Sequence, residues 1–154
     1  MKTTIQATAQ ELLTRKDYSE VIKAALQLIV DGQMSSLALY KVLVENDMSN
    51  ITDIKDQCLG VILDYADIIL EDNILTPDEL KNLKMLKLFF HVEEGDFQNN
   101  NKSARVESII IRQLEKLYAD NILDEQEALH QSDLQGVFGL GYDEYETIVN
   151  KVAK

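Results

Sequence analysis

Apolar residues along the chain recur at three- and four-residue intervals, with no alternating run of useful length, so the pattern predicts helices rather than strands. The first covers Ile5 to Arg15. Asp17 and Glu20 offer a capping box for a second, running through Val30, and a third spans Ser36 to Val44 with Leu37, Leu39, Tyr40 and Val42 to Val44. Glu45 to Asn50 is a polar break. Ser49 or Asn50 then caps the longest helix, reaching about Leu70, whose apolar side is Ile54, Cys58, Val61, Ile62, Tyr65, Ile68 and Ile69. Pro77 to Val92 places Leu80, Leu83, Leu86 and Phe90 inward and Lys81, Lys84 and Lys87 outward. Gly95 to Lys102, rich in Asn, reads as a loop. Ser103 is a cap candidate for a helix through Ala119 with Val106, Ile109, Ile110, Leu114 and Leu117 inward. A further helix reaches about Phe138, Gly139-Leu140-Gly141 breaks it, and Asp143 with Glu146 opens a last one ending near Val152.

One turn recurs between these helices. Asp72-Asn73-Ile74-Leu75-Thr76-Pro77-Asp78-Glu79 is repeated as Asp120-Asn121-Ile122-Leu123-Asp124-Glu125-Gln126-Glu127, and Asp31-Gly32-Gln33-Met34-Ser35 is a degenerate third copy. Asn73, Asn121 and Gly32 tolerate the left-handed conformation with which helices commonly end. Thr76, Asp124 and Ser35 can accept from the orphan N–H groups of the next helix, Pro77 suits the first helical position, and Glu79 and Glu127 can reach back to complete a capping box. Each cap contributes about 1 kcal/mol. The expected architecture is all-α: one domain over 1–154, a bundle of about eight helices with repeated helix–turn–helix units.

These turns resemble the TerB-like family of small helical domains associated with tellurite resistance, through Asp72 to Glu79, Asp120 to Glu127 and the later Gly139-Leu140-Gly141-Tyr142-Asp143-Glu144. The resemblance spans 51–154, with Asp-Asn where the family usually shows Asp-Gly. It implies an all-helical fold and cation binding by acidic residues, here Asp72, Glu79, Asp120 and Glu127. Capping accounts for the same four positions without a ligand.

Composition narrows the partners. The 154 residues are 45% hydrophobic, enough for a sizeable core, and carry a net charge of −12. That charge disfavours nucleic acid and anionic membranes and favours basic proteins or cations. The N-terminus carries no signal-peptide pattern, no stretch is long and apolar enough to span a membrane, and the single Cys58 excludes an intramolecular disulfide. The expected location is the cytoplasm.

No catalytic residue, metal ligand set or cofactor is assigned. His91 and His130 lie in different helices, with His91 beside Glu93, Glu94 and Asp96 the better placed of the two for a metal. Cys58 sits on an apolar stripe, and Gly136, Gly139 and Gly141 follow a helix rather than a strand. The feature beyond ordinary expectation is on the helix from Ile51 to Glu71, where Asp53, Asp56, Asp64, Asp67 and Glu71 fall within a stripe of roughly 80° at about 100° per residue. Gln57 and Gly60 complete the stripe, and no Lys or Arg shares it. Stacked like charges cost roughly 0.2–0.5 kcal/mol per pair, a cost that reverses against a basic surface. The stripe is therefore the candidate partner-binding site. The reading it favours is an immunity protein that neutralises a toxin by covering a basic active surface, with a TerB-like cation-binding stress protein as the alternative. The oligomeric state stays open.

Overall fold

The computed structural model describes residues 4–48, 50–69, 77–93, 95–119 and 135–152. Among these there is no strand, and the helices are α1 (Ile5–Arg15), α2 (Glu20–Val30), α3 (Ser36–Glu45), a 3₁₀ turn (Ile51–Ile54) leading into α4 (Lys55–Ile69), α5 (Pro77–Phe89), the short α6 (Asp96–Asn99), α7 (Ser103–Ala119) and α8 (Tyr142–Val152). None of them is long and apolar enough to cross a membrane.

The core is organised around α4. Its side chains from Cys58 and Leu59 through Val61, Ile62, Leu63, Tyr65, Ala66 and Ile69 are buried, so it is enclosed on more sides than the one apolar stripe expected from its sequence. It packs on α1, α5 and α7, while α2 joins α1 and α3. Each large aliphatic side chain buried here stabilises the fold by about 1.5–3 kcal/mol. Tyr65 lies wholly inside, its phenol pushed up to about 12 by burial, with Thr8 and Asn82 partly offsetting the effect.

Helix ends follow side-chain chemistry. Thr4 Oγ1 accepts from Ala7 N at 3.0 Å, and Ser35 Oγ accepts from Ala38 N at 3.1 Å. Gly32, at φ +73°, closes α2 in the left-handed region, as expected for the degenerate turn copy. Asn73 and Asn121, the corresponding residues of the two fuller copies, lie outside the described residues.

Four local expectations change. Ser19 rather than Asp17 is the cap residue of α2, and Asp17 instead lies 3.5 Å from Lys23 Nζ. Ser103 is inside α7 rather than capping it. At the start of α8 the backward-reaching carboxylate is Glu144, which accepts from Gly141 N at 3.2 Å, not Glu146. The segment 95–102 is not a bare loop: it contains α6, whose Phe97 is buried and meets Phe138 edge-on at 5.4 Å between ring centroids. Gly95 (φ +88°) and Asn101 (φ +62°) bracket that helical turn in the left-handed region.

Candidate protein-binding surface

The acidic stripe of α4 meets a basic row on α7. Arg105 Nη2 donates to Asp64 Oδ1 at 2.8 Å and to Asp67 Oδ2 at 2.9 Å. Arg112 also donates to Asp67, and Lys102 Nζ lies 3.0 Å from Asp56 Oδ1. From the other side, the Tyr18 hydroxyl donates to Asp64 Oδ2 at 2.7 Å and the Ser19 hydroxyl donates to Gln57. Burial, then the hydrogen bond and charge of Asp64, raise the Tyr18 phenol far above its ordinary range, against the opposing charge of Arg105. Burial works against the charge on Arg105, but its bonds to Asp64 and Asp67 outweigh that and hold the guanidinium above its usual value.

Asp64 and Asp67, expected in the partner-binding stripe, are thus already paired within the chain. The Asp64 side chain is only 12% exposed, and both residues serve as the seam between α4 and α7. Asp56 remains open to solvent at 69% despite Lys102, and Asp53 is exposed on the 3₁₀ turn. Glu71 lies outside the described residues. Lys102, Arg105 and Arg112 recur at three and seven positions in the sequence, a row that matches the acidic one. Nothing in the sequence makes the two helices neighbours.

Lys81 and Lys84 are exposed on α5 as expected, but Lys87 is half-buried and its ammonium donates to the Val137 carbonyl at 2.6 Å. Cys58 is buried, and burial pushes its thiol up to about 12, which suits a core residue and not a nucleophile. The His91 side chain is exposed, while Asp96 is engaged by Lys55. Among the described residues no group of three His, Cys, Asp or Glu side chains could hold a metal ion. Glu79 is buried, and its charge reaches Tyr65. Asp72, Asp120 and Glu127, the other residues named by the TerB-like resemblance, lie outside the described residues.

The surface that sequence periodicity did not single out is the outer side of α3. Its inner side, Leu39, Val42 and Leu43, is buried. Leu37, Tyr40 and Val44 are 65%, 59% and 53% exposed, and they fall within a stripe of roughly 60° at about 100° per residue. Helix α3 is thus apolar on opposite sides, and among the described residues only the inner side is buried. Grooves flank it: one of about 700 Å³ toward Ile51, Lys55 and His91, the other of about 490 Å³ toward Leu28 and Gln33. Exposed Glu45 and Asp47 stand at its C-terminal end, and no basic residue occupies its last turn. Acids there oppose the helix dipole by about 0.3–1 kcal/mol each, a cost that a cationic partner would relieve.

Comparison with protein-family models, curated proteins and solved structures finds no match to this chain.

Proposed function

We propose that this chain is a protein-binding inhibitor that works by covering a basic partner, in the manner of an immunity protein seated on the active surface of a toxin. The observation that carries the reading is the solvent-facing stripe Leu37, Tyr40 and Val44, set between two grooves on a protein of net charge −12. Aromatic and aliphatic anchors surrounded by charge are the composition of a binding hot spot, and an acidic field speeds encounter with a cationic surface. The same field disfavours nucleic acid and anionic membranes as partners. The reading assigns binding rather than catalysis, no cofactor and a cytoplasmic location. It takes the whole chain as one bundle of about eight helices with repeated helix–turn–helix units.

The contact surface is placed on α3 rather than on the α4 stripe, because Asp64 and Asp67 already have partners in the chain. Exposed Asp53 and Asp56 contribute to the acidic field. Of the four acidic residues of the cation-binding alternative, Glu79 is buried, and Asp72, Asp120 and Glu127 lie outside the described residues.

The test is capture of a partner from the source cell with the wild-type chain, followed by assay of that partner's activity with and without the chain. The wild type is expected to abolish the activity at stoichiometric amounts. Leu37→Glu with Val44→Glu should cost about 2 kcal/mol or more of binding and lose protection while unfolding at the same temperature. A double variant that binds and protects like the wild type, or a captured partner whose activity is untouched, would sink the proposal.

A further inference from the structure

We infer that the groove α3 shares with His91, Glu93, Asp96 and Asn100 is a socket for an arginine side chain of the basic partner, an inference that rests on the protein-binding reading above. The groove holds about 700 Å³ and is lined by Tyr40, Lys55, His91, Glu93 and Asp96 among others. Among the described residues its one lysine or arginine is already committed. Lys55 Nζ donates to the His91 carbonyl at 2.6 Å and to Asp96 Oδ2 at 3.1 Å, with its side chain only 14% exposed, so it has little left to offer an anion. The acceptors, by contrast, are in surplus. Asp96 Oδ2 takes both Lys55 and the Glu93 backbone N–H at 2.7 Å, leaving Oδ1 without a hydrogen-bond partner among the described residues. The Glu93 carboxylate is exposed and has no ion partner there either.

Two ring-bearing residues, Tyr40 and His91, line the same groove as these acceptors, and His91 is held at φ +54°, in the left-handed region, at the turn that ends α5. That conformation is strained for a side chain other than Gly. A groove that offers both rings and carboxylate oxygens suits a guanidinium, which can stack on a ring and fork to a carboxylate, better than an ammonium, a compact and strongly hydrated point charge. Tyr40 belongs to both the exposed stripe of α3 and the wall of the groove. One partner segment can therefore lay apolar side chains on α3 and reach over its edge with an arginine.

The experiment is NMR titration of the whole chain in low-salt buffer with N-acetyl-arginine amide. N-acetyl-citrulline amide serves as the neutral isostere, and putrescine as charge without the planar fork. Saturable shifts confined to Tyr40, Ile51, His91 and Glu93 are expected with the arginine probe alone. Glu93→Gln and Tyr40→Ala, both at exposed side chains, should each weaken it on the order of threefold. Absence of saturable shifts, equal binding of citrulline amide or putrescine, or variants that bind like the wild type would overturn the inference. The Leu37→Glu, Val44→Glu variant separates the two claims. Its loss of partner capture with no arginine site in the wild type overturns the socket alone, whereas an intact arginine site with unimpaired capture overturns the function alone.

Discussion

The hydroxyl of Tyr18 donates to Asp64 Oδ2 at 2.7 Å across 46 positions of chain, tying the segment before α2 to the middle of α4. Because Arg105 holds the other oxygen of the same carboxylate at 2.8 Å, Asp64 is a junction of three elements rather than a surface charge. Tyr18→Phe should cost about 1.5 kcal/mol, the worth of a hydrogen bond to a charged acceptor. Asp64→Lys, which also sets a second cation beside Arg105, should cost about 3 kcal/mol. Urea unfolding of both variants checks this, and a lysine variant as stable as the wild type would refute the junction.

Phe97 and Leu88 provide a matched pair of apolar truncations. Phe97 is buried against Phe138, whereas Leu88 on α5 is 77% exposed. Phe97→Ala is expected to destabilise by about 3–5 kcal/mol, and Leu88→Ala to stay within about 0.5 kcal/mol. Equal effects on the thermal midpoint would show that α6 is not anchored through its aromatic side chain.

Alkali should unfold this protein early. Cys58 rises from 9.0 to about 12 and Tyr65 from 10.0 to about 12, both chiefly through burial, and Tyr18 is raised as well. These groups keep their protons in the folded chain at a pH where the unfolded chain has given them up. Their contribution is therefore complete below about pH 9 and is lost as pH climbs toward 12. Each retained proton steepens the loss by up to about 1.4 kcal/mol per pH unit. Urea midpoints at about pH 8 and about pH 10.5 should differ clearly, and Cys58→Ala should narrow the gap. A flat profile would contradict the burial of these groups.

Chelation should leave the fold unchanged. Among the described residues no group of three His, Cys, Asp or Glu side chains could hold a metal ion, and Asp64 and Asp67 are paired with Arg105. The thermal midpoint with excess chelator should match that without it. A fall of many degrees would mean that metal binding is linked to folding, and would favour the cation-binding alternative.

The sequence by itself determined the helices and much of the core, because both depend on local rules. The three- and four-residue recurrence of Leu80, Leu83, Leu86 and Phe90 set the inner side of α5, and Gly32 with Ser35 set the turn between α2 and α3. It also showed the acidic row of α4. What the row faces was decided only by tertiary packing: helix periodicity gives the side of a helix on which a residue lies, not which other helix lies against it. Arg105 and Arg112, 38 to 45 positions from the Asp64 and Asp67 they pair with, became neighbours of the row when α7 closed on α4. The same limit applies to α3, whose apolar residues lie on opposite sides. Local pattern marks Leu37, Tyr40 and Val44 as apolar just as it marks Leu39, Val42 and Leu43. Among the described residues, packing with α2 accompanies burial of one side while the other stays exposed, and that difference, absent from the one-dimensional pattern, is what makes α3 the candidate binding surface.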